Sequence, residues 1–152
     1  MNLDIIEFFE SNEKEYWIKE MEKSDWQAGK YLSTLLKENR LRELCGPTTK
    51  VFLLVNNKNL VSFCTLAEQD EIDKPDMTPW IGFVYTFPSY RGNHYMGLLI
   101  ENACELAKQF GNKEIFISTD ADGLYEKYGF TYTGKNIKTI YNNVARVYNR
   151  KL

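Results

Sequence analysis

The segment from Pro79 to Ser118 limits the possible folds more than any other. Pro79 to Phe87 is apolar and aromatic and is halted by Pro88, which has no N–H to give to a ladder, so a sheet strand should end at that proline. Met96, Leu99, Ile100, Ala103, Ala107 and Phe110 then recur on one face of a helix that Gly111 closes. Glu114 to Ser118 follows, with the buried-looking run Ile115-Phe116-Ile117 at its centre. Strand, helix and strand in this order imply a parallel crossover, so the sheet must contain a parallel joint.

The flanking segments extend that sheet. Leu3 to Phe9 reads as a strand, and Ser11 stands in a cap position before a helix carrying Tyr16, Trp17, Ile18 and Met21. Ala28, Tyr31, Leu32, Leu35 and Leu36 form the apolar stripe of a second helix, which should end near Cys45-Gly46-Pro47. Val51 to Val55 and Leu60 to Ala67 should pair as a hairpin about Asn56 to Asn59, residues that tolerate left-handed turns. Glu68 to Thr78 is polar and reads as a loop. A short helix from Ala121 to Tyr128, stopped by Gly129, should precede strands at Phe130 to Thr133 and Ile140 to Tyr148, with Gly134-Lys135-Asn136 as their turn. No repeat or linker interrupts the 152 residues, so the expectation is one domain, residues 1–152. Its class is α/β (α+β): a mixed central sheet flanked by helices.

Composition removes several functions. A net charge of -2, from 19 basic and 21 acidic residues, gives no field for holding nucleic acid by its phosphates. Cys45, Cys64 and Cys104 are odd in number and form no C-x-x-C pair, which argues against a disulfide framework or structural zinc and for a reducing, cytoplasmic setting. His94 is the single histidine, so a centre needing two imidazoles is excluded and no metal is expected. The acidic stretch Met1 to Glu10 has no signal-peptide pattern, and no run approaches the roughly 20 apolar residues that span a bilayer.

Val84-Tyr85-Thr86-Phe87-Pro88-Ser89-Tyr90-Arg91-Gly92-Asn93-His94-Tyr95-Met96-Gly97 leaves a strand, turns and opens a helix. A helix start offers backbone N–H groups without internal partners and the positive end of the peptide dipoles, so such a turn binds anions. Arg91 could add a charge-assisted contact of roughly 1.5 to 3 kcal/mol. Equally, Gly92 and Gly97 could serve only turn and packing, with Arg91 solvated.

Tyr85-Thr86-Phe87-Pro88-Ser89-Tyr90-Arg91-Gly92 with Leu98-Leu99-Ile100 resembles the acetyl-CoA motif of the GNAT N-acetyltransferases, and Leu124-Tyr125-Glu126-Lys127-Tyr128-Gly129-Phe130 resembles their tyrosine helix and following strand. The resemblance covers nearly the whole chain. It implies two splayed parallel strands, the first ending near Phe87 and the next at Glu114 to Ser118, with acetyl-CoA in the opening. Val84, Tyr85 and Thr86 would then pair with the pantetheine arm through their main chain, and the turn of Arg91, Gly92, Asn93, His94, Tyr95 and Met96 would wrap the pyrophosphate. The family's turn has small residues where this chain has His94 and Met96. A helix start does not itself require positive φ, so the cradle should survive that departure.

The resemblance further implies that Tyr125 acts on the departing thiolate, by proton donation or hydrogen bonding. Packing alone is the other reading of Tyr125. The family's base is a carboxylate, and here Glu68, Asp70, Glu71 and Asp73 cluster between two strands. They form either a solvated loop or a cation-attracting wall with Glu68 or Asp70 as base. Trp26, Tyr31, Trp80 and Phe83 could line the acceptor pocket or fill the core. The sequence thus leads to an N-acetyltransferase acting directly on a small-molecule amine, without nucleic acid or membrane partners. A non-catalytic acyl-CoA-binding module is the rival reading, and a homodimer is left open.

Overall fold

The structure is a computed structural model describing residues 1–152. One mixed sheet contains strands β1 (Leu3–Glu7), β2 (Lys50–Asn56), β3 (Asn59–Ala67), β4 (Trp80–Thr86), β5 (Glu114–Thr119), β6 (Thr131–Lys138) and β7 (Val144–Lys151), in the spatial order β1-β2-β3-β4-β5-β7-β6. Helices α1 (Lys14–Glu22), α2 (Gln27–Lys37) and α3 (Leu41–Cys45) precede β2, and α4 (Tyr95–Gln109) links β4 to β5.

Both faces of the sheet are covered, and the sequence of β2 shows why. Side chains alternate across a strand, so a strand with helices on each face must be apolar throughout. In β2, Phe52 and Leu54 pack with Leu99, Ile100 and Ala103 of α4, while Val51, Leu53 and Val55 pack with Trp17, Leu32 and Leu35 of α1 and α2. A third small core joins Ile72 to Trp80, Phe116, Ala145 and Val147.

The joint between β4 and β5 positions everything that follows. Its parallel register consists of Trp80 opposite Phe116, with Phe116 N–H donating to Pro79 O at 3.0 Å. Beyond that pair no ladder joins the two strands, and Ile81 to Thr86 and Ile117 to Asp120 line the walls of a cleft. On the other side of β4 the ladder to β3 slips between Phe63 and Thr65, and Phe83 stands opposite the slip at φ 49°. A bulge with an aromatic residue in left-handed geometry bends β4 and frees its backbone from regular pairing.

Three expectations need correction. The second helix divides: α2 stops at Lys37 and α3 starts at Leu41, with Asn39 at φ 57° reversing the chain between them. Residues Ala121 to Leu124 are not helical, and the helix expected there shortens to a 3-10 turn, Tyr125–Tyr128, closed by Gly129 at φ 86°. The last hairpin does not turn at Gly134 to Asn136. Gly134 at φ 81° instead sits within a register shift of β6, and the chain reverses at Thr139 to Asn143, where Thr139 N–H donates to Asn143 O at 2.7 Å.

Candidate active site

The cleft opened by β4 and β5 has a volume of about 1150 Å³. One end is made by the turn into α4. Gly92 lies at φ 84° and His94, the residue capping α4, at φ 57°. The path therefore does use positive φ, contrary to the expectation, because the chain must reverse sharply between the 3-10 turn Pro88–Tyr90 and the helix. His94 adopts there the conformation glycine takes most easily. The N–H groups of Asn93, His94, Tyr95 and Met96 have no backbone acceptor, as expected at a helix start. Nothing lies within 4 Å of the Cβ that Gly92 lacks, so the turn is open to solvent.

Arg91 lines this end but does not simply extend into water. Its Nε donates to Thr86 O at 2.9 Å, its Nη2 lies 3.9 Å from Asp25 Oδ1, and its guanidinium sits 5.4 Å from the centre of the Tyr85 ring. Tyr85 in turn donates from its hydroxyl to Asp25 Oδ1 at 2.5 Å and stacks on Trp26 at 5.7 Å. That hydrogen bond holds the Asp25 carboxyl below its ordinary range. The side chain of Tyr85 thus ties the α1–α2 loop to the turn before α4, a role its backbone motif did not reveal.

The acidic segment divides between cleft and surface. Asp70 and Glu71 line the cleft, whereas Glu68 turns away: its carboxylate accepts from Thr48 N–H at 3.0 Å and from the Thr48 hydroxyl. Asp73 is exposed. Ile72, 3% exposed, is the anchor that forces this split, since burying it against Trp80 orients its acidic neighbours. Trp80 itself is fully buried and stacks at a tilt on Phe116, so of the four aromatic candidates it belongs to the core. Trp26, Tyr31 and Phe83 reach the cleft.

Asp70 rests directly on β4 at Gly82. A Cβ on Gly82 would stand 2.5 Å from Asp70 Oδ1, so only the absence of a side chain lets the carboxylate lie there. Its other oxygen is 3.5 Å from Ser118 Oγ on β5. The carboxylate therefore spans the root of the V, just beyond the Trp80–Phe116 pair. Burial pushes its pKa up to about 7, against the opposing effect of a hydrogen bond from Glu71 N–H. Burial also raises Glu71, with the charge of Asp120 adding to it. A carboxylate near pKa 7 is a competent base at neutral pH.

Tyr125, only 7% exposed, opens onto the same cleft from the 3-10 turn and packs edge-on against Phe130. Burial, with Cys64 and Tyr128 nearby, raises its phenol above the ordinary tyrosine value, so it stays protonated and can donate. Tyr128 also lines the cleft and fits against α4 where Gly97 leaves room; its hydroxyl is 3.4 Å from His94 Nδ1.

The sequence profile described as the acetyltransferase (GNAT) family matches residues 6–130. The chain belongs to that family. No curated protein sequence matches it. GNAT structures extend the likeness to the whole fold: an acetyltransferase of the GNAT family from Staphylococcus aureus Mu50 is 19% identical, with 99% of each chain covered and a TM-score of 0.65. The PaiA N-acetyltransferase of Thermoplasma acidophilum, solved with coenzyme A, is 14% identical over 100% of both chains at TM-score 0.65. An aminoglycoside 6'-N-acetyltransferase complexed with coenzyme A is 15% identical, covering 97% of this chain and 96% of its own, at TM-score 0.71. The mixed sheet with its splayed centre is thus the GNAT fold. No helix is long and apolar enough to cross a membrane.

Gly82 and Tyr141 carry no sequence motif that marks them as site residues, and Glu71 enters the sequence reading only as one member of the acidic cluster. An isolated glycine in a strand was the available signal for Gly82, since it marks a bulge or a close approach.

Proposed function

We propose that this chain is an acetyl-CoA-dependent N-acetyltransferase that transfers the acetyl group directly to a primary amine, with residues 1–152 forming one catalytic domain. The observation that carries the reading is that one cleft contains both ends of the chemistry: an open N–H turn at the start of α4, and the Asp70 carboxylate at the root of the strand splay. The donor fits this cleft. The splay of β4 away from β5 beyond Trp80 leaves Val84 to Thr86 with a main-chain edge toward the cleft for the pantetheine arm, and the N–H groups of Asn93 to Met96 suit a pyrophosphate.

The acetyl donor supplies a thioester carbonyl as electrophile. Asp70, directly or through a water, takes a proton from the incoming ammonium and leaves a neutral amine with a free electron pair. That pair forms the new N–C bond as the C–S bond breaks and its electrons pass to sulfur, and the acylated nitrogen sheds its surplus proton to water to leave the neutral amide. Tyr125 donates a hydrogen bond to the sulfur as charge develops there. Its phenol is held above 10 while an ordinary thiol titrates near 8.5, so Tyr125 serves chiefly as a fixed hydrogen-bond donor, and the thiolate takes its final proton from the base or from water. Arg91, bound to Thr86 and facing Asp25, is available at the phosphate end. Three unpaired, buried cysteines support a reducing, cytoplasmic setting.

Thermal denaturation tests the donor. Acetyl-CoA at about 100 times its dissociation constant should add roughly 2.7 kcal/mol, and NAD nothing. Gly92→Val, which strains φ 84° without a steric clash, should abolish the shift while leaving the fold intact. No shift with millimolar acetyl-CoA refutes the reading. A shift without transfer to any amine leaves an acyl-CoA-binding module.

A further inference from the structure

We infer that the acceptor is a monoamine whose ammonium head is joined to an apolar, preferably aromatic, body, in contrast to a polyamine or an aminosugar. The inference rests on the transferase reading and deepens it. Most of the large apolar side chains that this protein exposes are gathered at one place. Tyr31 is 39% exposed, Leu44 37%, Ile140 51%, Tyr141 57% and Val144 60%, and all five line the cleft. Scattered exposed apolar residues are ordinary on a protein surface; a cluster at the mouth of a cleft marks a ligand surface.

The cluster comes from three separate parts of the chain, which makes an accident of one amphipathic element an inadequate explanation. Tyr31 projects from α2, Leu44 from α3, and Ile140, Tyr141 and Val144 from the β6–β7 turn and the start of β7. That turn is fixed over the acidic segment: Ile140 N–H donates to Glu71 O at 2.8 Å, and Tyr141 N–H donates to Thr139 Oγ1 at 3.1 Å. The same bond places the apolar rim beside the acidic floor, since Glu71 and Asp70 are adjacent in the chain and both line the cleft.

Charge decides the rest. Four carboxylates line the cleft: Asp25, Asp70, Glu71 and Asp120. Asp25 is engaged by the Tyr85 hydroxyl and faces Arg91. Asp70 and Glu71 form one adjacent pair, and Asp120 acts on Glu71 from the neighbouring wall. A single acidic floor below an apolar rim complements one cation attached to an apolar body. It does not complement several cations spaced along a polar molecule, which need carboxylates distributed along the cleft and lose hydration against Leu44, Ile140 and Val144. Tyr31 and Tyr141 also offer ring faces, to an aromatic body or to the cation passing inward.

The test compares acceptors by release of free coenzyme A thiol. 2-Phenylethylamine and tryptamine should exceed 1,4-diaminobutane, spermidine, kanamycin and a peptide with a free N-terminus by at least about tenfold in kcat/KM. Tyr141→Ala should raise KM for 2-phenylethylamine about tenfold without changing acetyl-CoA affinity, and Tyr141→Phe should restore it. Tyr141 is exposed in a turn, so its removal should leave the fold intact. Preference for the polyamines, aminoglycoside or peptide overturns the inference, as does failure of both arylalkylamines in a protein that binds acetyl-CoA. An unchanged KM in Tyr141→Ala also overturns it. Failure to bind acetyl-CoA instead removes the transferase reading beneath it.

Discussion

Replacing Gly82 by alanine should cripple catalysis without weakening the fold. The new Cβ would stand 2.5 Å from Asp70 Oδ1 and 3.1 Å from Thr65 Oγ1, whereas ordinary contact begins at 3.4 Å. Thr65 is inside the ladder and cannot yield far, so the Asp70 carboxylate must recede by roughly 1 Å, a displacement that can cost on the order of a hundredfold in rate. That corresponds to about 2.7 kcal/mol of transition-state stabilisation. Stability moves the other way: Gly82 does not occupy a left-handed conformation, and removing glycine from a strand contributes roughly 0.5 to 1 kcal/mol. Steady-state kcat/KM with the best amine, beside urea unfolding, separates the two effects. Gly82→Ala should resemble Asp70→Asn in rate, and the double variant should be little worse than either, since both disable one carboxylate. A Gly82→Ala protein that folds and retains parental kcat/KM would show that the position of Asp70 on β4 is unrelated to catalysis.

Asp70→Asn carries its own pH signature. With the folded carboxyl pushed up to about 7 and an unfolded value near 3.9, its neutral form stabilises the fold below about pH 4 and that contribution is lost as pH rises through 7. The variant's melting temperature should therefore match the parent near pH 4 and exceed it above pH 7, while the acidic limb of kcat/KM near pH 7 disappears; a limb left in place assigns the base elsewhere. Tyr125→Phe should lower kcat by roughly a hundredfold with little change in acetyl-CoA affinity, and stopped-flow thiol detection showing undiminished turnover would reduce the residue to packing against Phe130.

The sequence made the β4–α4–β5 unit legible because its periods change cleanly from strand to helix to strand and proline and glycine mark the changes. The β2–β3 hairpin was equally clear: Asn57 occupies φ 57° within the asparagine-rich turn that suggested it. The last hairpin was not, because a glycine with positive φ serves a strand irregularity as well as a reversal, and only pairing with β7 decides between them. Asn39 carried a comparable signal for the end of α2, overshadowed by the stronger glycine-proline stop at Cys45. Within the candidate site, local motifs located the turn of Arg91 to Met96 and Tyr125. They could not separate Asp70 from Glu68, since the separation is made by Ile72 docking on Trp80, whose position depends on the assembled sheet.

The strand splay also leaves the protein with unpaired main chain in the middle of its sheet, a condition ordinarily confined to outer edges and prone to recruiting strands from other molecules. The irregularity at Phe83 offers protection as well as access. A strand bent there by φ 49° presents a poor template for a foreign β-strand, whereas a flexible, thread-like ligand can follow it. On the proposed reading, the bend that suits a narrow guest is also one that disfavours pairing of the sheet's open centre with a second copy of the chain.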